Sequence, residues 1–516
     1  MSEQIQHNCG IVTVVDLAQR RDVTEIAIKI ANGLQHRGEL GTGLAAYRNT
    51  GTDTRFDFIK GPGLVKNVLT PERLAAAGIH SHLVSIHDRY ATNGCLDDRM
   101  LQPFHTPHED PDLEFIMTYN GQLAEYEKLQ SELRARGLIP EVPGDTEIIR
   151  LATVAALQDF YQQGMKNVLN ALGVLDGAYN LIYAMGNQNV FALRDAAGFH
   201  PLVYARFESM VAIASENSAI HDVWPRAEIH DIEPGQMLEV NMSTKEVRVH
   251  QLWLRQKARC FFEWLYFADQ GTIIDGASVS AARYRAGKIL AQIDGGLCED
   301  SEKGIVVPVP ESAKTVCNGY SNESGLPRID ALIKNPLVGR TFTRPGDYLE
   351  QAEKKYKIRT EYVKGRVIYL IDDSMVRGNT MRTLVKQLRE SGAKEIHLRI
   401  AAPPIISPCF YAIDFPTVTE LIARKYSDGV FQQDGTLPPD VLKAIAEDVG
   451  ADSVIFLPRD MLDDVIGVPD GGLCKACITK EYPTIGGQEM AKFSEANSKL
   501  VVLNQDVTSS SSTKFQ

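Results

Sequence analysis

The chain has 516 residues, with 54 Lys+Arg against 66 Asp+Glu for a formal net charge of −12, and is 44% hydrophobic and 23% charged. Those proportions exclude a collagenous or largely disordered chain, and at roughly 100–200 residues per domain the length calls for more than one domain. An acidic chain without Lys/Arg blocks lacks the footprint of a nucleic-acid binder, although a small anion needs only a local pocket.

From Cys9 to about residue 250 the sequence predicts a mixed, strand-rich half. Short apolar runs (GIVTVVD, LEFIMTYNG, YNLIYAMG, VFALRD, PLVYARF, MVAIAS) are separated by Gly, Asn and Asp turn signals. Between Asp22 and Gly38, the side chains of Val23, Ile26, Ile30, Ala31 and Leu34 fall on one helical face, with Asp22 as start signal and Gly38 as stop. Residues 123–138 and 147–157 read as further helices. After about residue 295 the pattern changes: IVVPVP, RVIYLID, EIHLRIAA and SVIFLP are apolar β runs. Between the second and third, MRTLVKQLRESG sets Met381, Leu384, Val385 and Leu388 on one helical face, with Gly392 as its stop. Strand, turn, helix, strand at this length is a βαβ unit, hence a parallel sheet covered on both faces. The closing DVTSSSSTKFQ is polar and of low complexity, and residues 505–516 are expected to be a disordered tail.

No apolar run approaches the roughly 18–20 residues of a membrane span. The opening MSEQIQHNCG has no basic and then apolar leader. Eight cysteines spread over this length do not make a secreted disulfide framework. The expectation is a cytoplasmic protein with neither membrane nor nucleic acid as partner, whose reduced thiols are open to catalysis or metal binding.

The densest chemistry lies in RVIYLIDDSMVRGNTMRTLV. Val367 to Ile371 read as a buried strand with Asp372 and Asp373 at its carboxyl end, outside which ligands of open α/β sheets bind. Ser374 to Thr380, containing Gly378, form a short loop that runs straight into a helix. Its backbone N–H groups and the positive helix end suit a phosphate, and the adjacent carboxylates suit vicinal ribose hydroxyls or Mg²⁺. A surface turn with a carboxylate cap is the plainer reading. Two acids, a hydroxyl, an Arg and a Gly in one strand-to-helix loop favour the ligand site.

Asp372-Asp373-Ser374-Met375-Val376-Arg377-Gly378 resembles the phosphoribosyl pyrophosphate (PRPP) loop of type I phosphoribosyltransferases, and more narrowly that of the amidophosphoribosyltransferases. Further stretches match in the same order. CFFEWLYFA with IDGASVSAARYRAG resembles the family's linker and first transferase helix, VVPVPESAKTVCNGYSNESGLP its pyrophosphate-side loop, and KNPLVGRTF the loop that closes over PRPP. The resemblance runs from Cys9 to about Pro483. It implies glutamine-dependent amination of PRPP to 5-phosphoribosylamine, glutamate and pyrophosphate, the first committed step of de novo purine synthesis. The implied architecture is an αββα N-terminal-nucleophile hydrolase domain (a class II glutamine amidotransferase, 9–250) followed by a parallel-sheet type I phosphoribosyltransferase domain (260–465) and a cysteine-containing segment (466–504).

The resemblance also assigns residues. Cys9 is the nucleophile with its own α-amine as base, which requires removal of residues 1–8 as a propeptide. An α-amine titrates near 7.7–8.0, close to operating pH. Arg89 and Asp145 match the groups that hold the glutamine carboxylate and α-ammonium, Asn120 and Gly121 the oxyanion hole, and His36-Arg37-Gly38 a substrate-binding and signalling loop. Asp372, Asp373, Ser374, Val376, Arg377, Gly378 and Thr380 match the PRPP loop. Lys334 and Arg340 match pyrophosphate contacts on the closing loop, and Ser312 joins Asp372 and Asp373 around Mg²⁺. Cys260, Cys409 and the pair Cys474 and Cys477 match the ligands of a [4Fe–4S] cluster in one branch of the family. Structural zinc on four cysteines and buried thiols stay open as readings of that set. Purine nucleotides as inhibitors and a homo-oligomer, tetramer or dimer, are implied as well.

The chain departs from the family's pattern in several places. The residues after His-Arg-Gly are Glu39-Leu40-Gly41-Thr42-Gly43, and Arg194-Asp195-Ala196-Ala197-Gly198-Phe199-His200 replaces a motif ending in Arg. Tyr119 stands where a His commonly precedes the oxyanion Asn-Gly, Ser280 where a Tyr is more usual, and Glu311 in place of Asp. Three alternatives follow. A related class II enzyme, such as a glucosamine-phosphate synthase or asparagine synthetase, would share the first half but not the PRPP loop. A divergent paralogue would run the same chemistry in a specialised pathway. A non-catalytic regulatory homologue should have lost Cys9, Arg89 or the PRPP acids, and all of these are present.

Overall fold

A computed structural model of the chain describes residues 9–48, 55–90, 98–295, 304–335, 356–411, 413 and 417–497. The apolar runs of the first half form two antiparallel sheets. The seven-stranded sheet holds β1 (Gly10–Asp16), β2 (Gly41–Tyr47), β3 (Phe56–Pro62), β4 (Leu83–Arg89), β9 (Val203–Phe207), β10 (Met210–Ala214) and β11 (Glu228–Asp231), in the order β11-β9-β10-β1-β4-β2-β3. The six-stranded sheet runs β13-β12-β8-β7-β6-β5. Its members are β5 (Phe104–Thr106), β6 (Phe115–Leu123), β7 (Gly177–Met185), β8 (Val190–Arg194), β12 (Gln236–Asn241) and β13 (Glu246–Gln251).

Strand alternation sorts the side chains into layers. In β1, Val12 and Val14 pack beneath Ala27, Ile30 and Ala31 of α1 (Thr24–Gly33). Ile11 and Val15 point the other way, against Ile182, Ala192 and Leu238 of the second sheet. The far face of that sheet, with Met117, Leu181 and Leu193, packs on Ile148, Ile149 and Ala152 of α2 (Asp145–Phe160). Helix, sheet, sheet, helix is the expected αββα order.

Asp22 does act at the start of α1, its Oδ1 accepting the Thr24 N–H at 2.9 Å. Gly38 is not the stop: the α-helix ends at Gly33, a 3-10 turn covers Gln35–Arg37, and Gly38 is extended. The helices expected over 123–138 and 147–157 occupy Tyr126–Ala135 and Asp145–Phe160.

The halves are joined through a buried linker. β14 (Arg259–Cys260) is followed by a π-helical turn, Glu263–Phe267. Arg283, on α3 (Val279–Ile293), gathers the carbonyls of that turn, its Nε donating to Trp264 at 2.9 Å and its Nη2 to Tyr266 and Ala268 at 3.0 and 2.8 Å. Phe199 of the first half, the linker's Phe261, Phe262 and Trp264, and Val306 and Tyr369 of the second half belong to one apolar core.

Beyond the linker, β15 (Gly304–Pro308), β16 (Val367–Asp372), β17 (Glu395–Ile400) and β18 (Ser453–Phe456) form a wholly parallel sheet in that order. On α4 (Asn379–Glu390), which links β16 to β17, the residues Met381, Leu384, Val385 and Leu388 are buried, as their spacing predicts. The charge inside β17 is accounted for: buried Arg399 meets Asp294, just past α3, with Nη2 to Oδ1 at 2.6 Å. β19 (Leu473–Cys474) returns to pair in parallel with β14. Among the described residues no helix is long and apolar enough to cross a membrane.

Candidate active sites

Cys9 stands immediately before β1. The antiparallel register that sets Gly10 opposite Asp88 brings it to the end of β4, where Arg89 lies. The thiol is directed at the Tyr90 carbonyl, 3.9 Å away. Burial pushes it up, while the Arg89 and Arg37 guanidiniums pull it down without cancelling the burial. Cys9 is therefore a neutral thiol at rest and needs a base before it can attack. Arg89 Nη1 is buried without a hydrogen-bond partner, and among the described residues Nη2 meets the Met100 sulfur at 3.9 Å.

Asn120 and Gly121 lie side by side in β6. Asn120 Nδ2 is likewise buried without a partner. Gly121 has φ +151°, and a Cβ there would sit 2.0 Å from the Ala178 carbonyl oxygen, so no other residue fits. A buried amide with nothing to donate to in the resting protein is what a site awaiting a developing oxyanion requires.

Asp145 begins α2. Its Oδ2 accepts the Leu123 N–H at 2.8 Å, and the Tyr119 hydroxyl, which donates to the Ala178 carbonyl at 3.4 Å, lies near its carboxylate. Burial pushes the Asp145 carboxyl up to about 6, with those two donors pulling the other way. The Tyr119 phenol feels the charges of both Asp145 and Cys9, so the three belong to one site.

Arg37 is buried between two acids of distant origin, Glu216 and Glu263. His36 Nε2 reaches Glu216 at 2.8 Å, and His200 Nδ1 reaches Glu263 at 2.7 Å. The signalling loop expected at His36-Arg37-Gly38 is thus fastened to the linker by a buried charge network.

In the second half, Asp372 closes β16 and Asp373 follows it, both buried. Ser312 Oγ bonds Asp373, Ser374 Oγ donates to Asp373 Oδ1 at 2.8 Å, and the Asp373 N–H returns to Asp372 Oδ1 at 2.9 Å. Gly378, at φ +80°, turns the loop into α4 with Ile422 packed where a Cβ would be, and Thr380 lies in the helix's first turn. Val376 is buried, its carbonyl accepting the Ile422 N–H at 2.8 Å. Arg377 is turned aside, its Nε donating to Glu420 at 2.7 Å. Lys334 is exposed on a short ladder formed by Leu332–Lys334 and Tyr356–Ile358. Arg340 and residues 1–8 lie outside the described residues. The structure therefore assembles Ser312, Asp372, Asp373 and Ser374, and leaves Arg377 and Lys334 apart from them.

Four cysteines, Cys260, Cys409, Cys474 and Cys477, gather at one place. Cys260 and Cys474 are register partners in the β14–β19 pair. The Cys477 carbonyl accepts the N–H groups of Ile406 and Ser407, which lead to Cys409. Burial and the neighbouring thiols push Cys260 and Cys477 well up. Among the described residues no group of three or more His, Cys, Asp or Glu is arranged to hold a metal ion.

Several participants have no signal in the local sequence: His87, whose ring nitrogens are buried without partners and which burial pushes down to about 3, and Glu216, Tyr266 and Arg283. Glu263 did have one, as the single acid in the aromatic run CFFEWLYFA. The Tyr266 phenol is raised by burial and then by Asp373, Tyr90 and Asp372, so it lies within electrostatic reach of both stations.

Residues 87–222 match the family model for the glutamine amidotransferase domain. The chain is 34% identical over 497 residues to the amidophosphoribosyltransferase of Methanocaldococcus jannaschii, covering 92% of this chain and 98% of that protein. It is 32% identical to the Mycobacterium tuberculosis amidophosphoribosyltransferase, over 93% of this chain and 86% of the relative. The solved structure of glutamine PRPP amidotransferase from B. subtilis, complexed with ADP and GMP, superposes with a TM-score of 0.77 at 30% identity, covering 92% of this chain and 97% of the other. With an αββα half carrying an unspent thiol and a parallel-sheet half carrying paired acids, the chain belongs to the amidophosphoribosyltransferase family, enzymes of the glutamine amidotransferase type.

Proposed function

We propose that this chain aminates PRPP with ammonia drawn from glutamine, yielding 5-phosphoribosylamine, pyrophosphate and glutamate at the entry to purine nucleotide synthesis. Cys9 attacks the glutamine amide and forms a thioester with release of ammonia, and water then frees glutamate. The thiol proton passes to the Cys9 α-amine, which exists only once residues 1–8 have been removed. Arg89 and Asp145 hold the two ends of the amino acid, and Asn120 with the Gly121 N–H receives the oxyanion. Ammonia travels inside the protein to C1 of PRPP, where it displaces pyrophosphate. Asp372, Asp373, Ser374, Val376, Gly378 and Thr380 hold the ribose phosphate. Arg377, Lys334 and Arg340 join only through a rearrangement on binding.

The observation that carries this reading is one chain that holds, in its first half, buried donors without partners (Asn120 Nδ2 and Arg89 Nη1) and, in its second, the buried cluster of Ser312, Asp372 and Asp373, with a linker whose core belongs to both halves. Coupled in this way, glutamine hydrolysis is slow until PRPP binds and closure excludes water.

The hard oxygens of Asp372, Asp373 and Ser312 suit Mg²⁺, which would neutralise pyrophosphate charge. The donor set of Cys260, Cys409, Cys474 and Cys477, four thiols without a hard ligand among them, suits an iron–sulfur cluster, and a cluster spans a wider space than a single ion. Its role would be to staple the carboxyl-terminal segment to the linker. Domain limits of 9–250, 260–465 and 466–504, a cytoplasmic homo-oligomer and inhibition by purine nucleotides belong to the same proposal.

The test is ³¹P NMR of PRPP consumption by the wild type and Cys9→Ala. The variant should lose the glutamine-driven reaction and keep the ammonia-driven one. Full glutamine-driven activity in Cys9→Ala, or in protein whose intact mass retains residues 1–8, refutes the nucleophile.

A further inference from the structure

Residues 269–272 of the linker touch the machinery of both halves. At the glutamine end, the Leu40 N–H donates to the Arg89 carbonyl at 3.1 Å. Gly38 lies so close to the same strand end that a Cβ would stand 2.4 Å from the Asp88 carbonyl oxygen. Arg37, the residue before it, is paired with Glu216 Oε1. The other oxygen of that buried carboxylate, Oε2, accepts the Asp269 N–H at 2.8 Å and the Thr272 hydroxyl at 2.7 Å. Glu216 therefore holds the glutamine-site loop with one oxygen and residues 269–272 with the other.

Gln270 lies inside that segment and faces the other half, its Oε1 accepting the Thr315 hydroxyl. Thr315 stands in the first turn of the helix Lys314–Ser324, and Ser312, whose Oγ bonds Asp373, directly precedes that helix. The helix meets α3 backbone to backbone. A Cβ at Gly319 would lie 2.0 Å from the Tyr284 carbonyl oxygen, and one at Gly287 would lie 1.9 Å from that of Val316. So close a contact leaves the helix little freedom to deform, and its first turn follows the placement of Ser312.

We propose that Gln270 is a positioning residue that couples the two stations, its hydrogen bond with Thr315 passing the placement of the Ser312–Asp373 cluster to the loop that carries Arg37 and touches Arg89. The proposal rests on the coupled reading of the two halves given above and names the side chain that couples them. Gln270 falls between the two linker stretches that match the family, CFFEWLYFA and IDGASVSAARYRAG, so that resemblance gives it no role. Coupling requires an element that both sites bias. Here it is a bond that exists only when Thr315 and residues 269–272 are both in place, and its loss should leave the chemistry of each station intact.

The experiment measures glutamate release by the full chain with and without PRPP, and ammonia-driven transfer in parallel. The proteins are the wild type, Gln270→Leu, Thr315→Val, the double variant and Thr315→Ser. Loss of one neutral hydrogen bond should reduce the stimulation by PRPP about fivefold in either of the first two variants. Ammonia-driven kcat and the KM for PRPP should stay within about twofold, since one neutral bond outside both sites is lost. The double variant should lose no more than either single one, because both remove the same bond. Thr315→Ser keeps the hydroxyl and should keep the stimulation. Undiminished stimulation in Gln270→Leu and Thr315→Val overturns the role of Gln270 and leaves the coupled reading standing. A wild type whose glutamate release ignores PRPP overturns that reading, and the proposal with it. Losses that multiply in the double variant, or a parallel loss of ammonia-driven transfer in Thr315→Val, make the two residues independent packing elements and overturn the proposal.

Discussion

Arg37 Nη2 donates to Glu263 Oε1 at 2.8 Å, with both side chains essentially cut off from solvent. One residue follows the first helix of the glutaminase half and the other opens the linker's π-helical turn, so this ion pair, with His200–Glu263 and Arg194–Asp275, fastens the two halves. Burying two charges is tolerated only when each keeps its partners, and removing one alone typically costs about 3–5 kcal/mol. Arg37→Met and Glu263→Gln should each lower unfolding stability by about 3 kcal/mol, and the double variant by clearly less than the sum. Chemical denaturation of the four proteins completes the cycle. Additivity within about 0.5 kcal/mol would show that the two side chains do not depend on each other.

Asp275 makes a parallel case that is read out by pH. Arg194 at the end of β8 holds it through Nη1–Oδ1 at 2.8 Å and Nη2–Oδ2 at 2.9 Å, and Arg259 in β14 bonds the same carboxylate. Burial pushes the carboxyl up, but the two guanidiniums overrule it and set it at about 2. A carboxyl depressed in the folded state contributes stability above its unfolded value of about 3.9, and that stability disappears as pH falls toward the folded value. Between pH 5 and pH 2 the wild type should therefore lose about 2 kcal/mol that Asp275→Asn, already weaker at pH 7, cannot lose. Urea titrations at stepped pH measure the difference, and equal slopes for the two proteins would contradict it.

Asn120 offers the cleanest kinetic test of the glutamine site, because its Nδ2 has nothing to donate to in the resting protein. A donor used only in the transition state affects kcat and spares ground-state binding. Asn120→Ala should cut glutamine-driven kcat by about 100- to 1000-fold with KM nearly unchanged. A rise in KM at constant kcat would instead make the amide a ground-state contact. Ammonia-driven transfer serves as the internal control.

The sequence was most legible where chemistry and periodicity coincide on one segment. Val367–Asp372, the two acids and the amphipathic face of Met381, Leu384, Val385 and Leu388 could be read directly, because strand end, loop and helix are contiguous. GIVTVVD likewise reads as a strand from its short apolar run, and the fold then buries every one of its residues. The charge network could not be read in this way. Arg37, Glu216 and Glu263 are separated by 179 and 226 positions, and a lone acid or arginine in an apolar stretch does not announce its partner. Gly38 misled for a related reason: glycine is a common helix terminator, but here a Cβ would strike the Asp88 carbonyl 2.4 Å away, so it is close approach that needs the glycine. Arg377 looked like a phosphate ligand within its loop, and only the fold supplies Glu420 as its resting partner.

The cysteine set carries the last prediction, and it can be read without any assay of turnover. Cys260 and Cys474 are joined by the two-residue β14–β19 ladder, and Cys477 receives the Ile406 and Ser407 N–H groups through its carbonyl. Arg259 and Lys257 of the linker also bond Gly471, Gly472 and Asp470, and Tyr482 bonds Ser407, so a group held by the four thiols would reinforce an attachment already begun by hydrogen bonds. Protein isolated without oxygen should contain iron and inorganic sulfide and show broad visible absorption. Cys477→Ser should abolish that colour and make the carboxyl-terminal segment open to proteolysis while 9–250 stays resistant. Exposure of the wild type to air should reproduce both effects as the cluster decomposes. Colourless protein containing zinc would transfer the same stapling role to a four-cysteine zinc site. Metal-free protein with an equally resistant segment would show that packing of Phe410 and Tyr411 against Tyr482 suffices, and that the thiols are ordinary core residues.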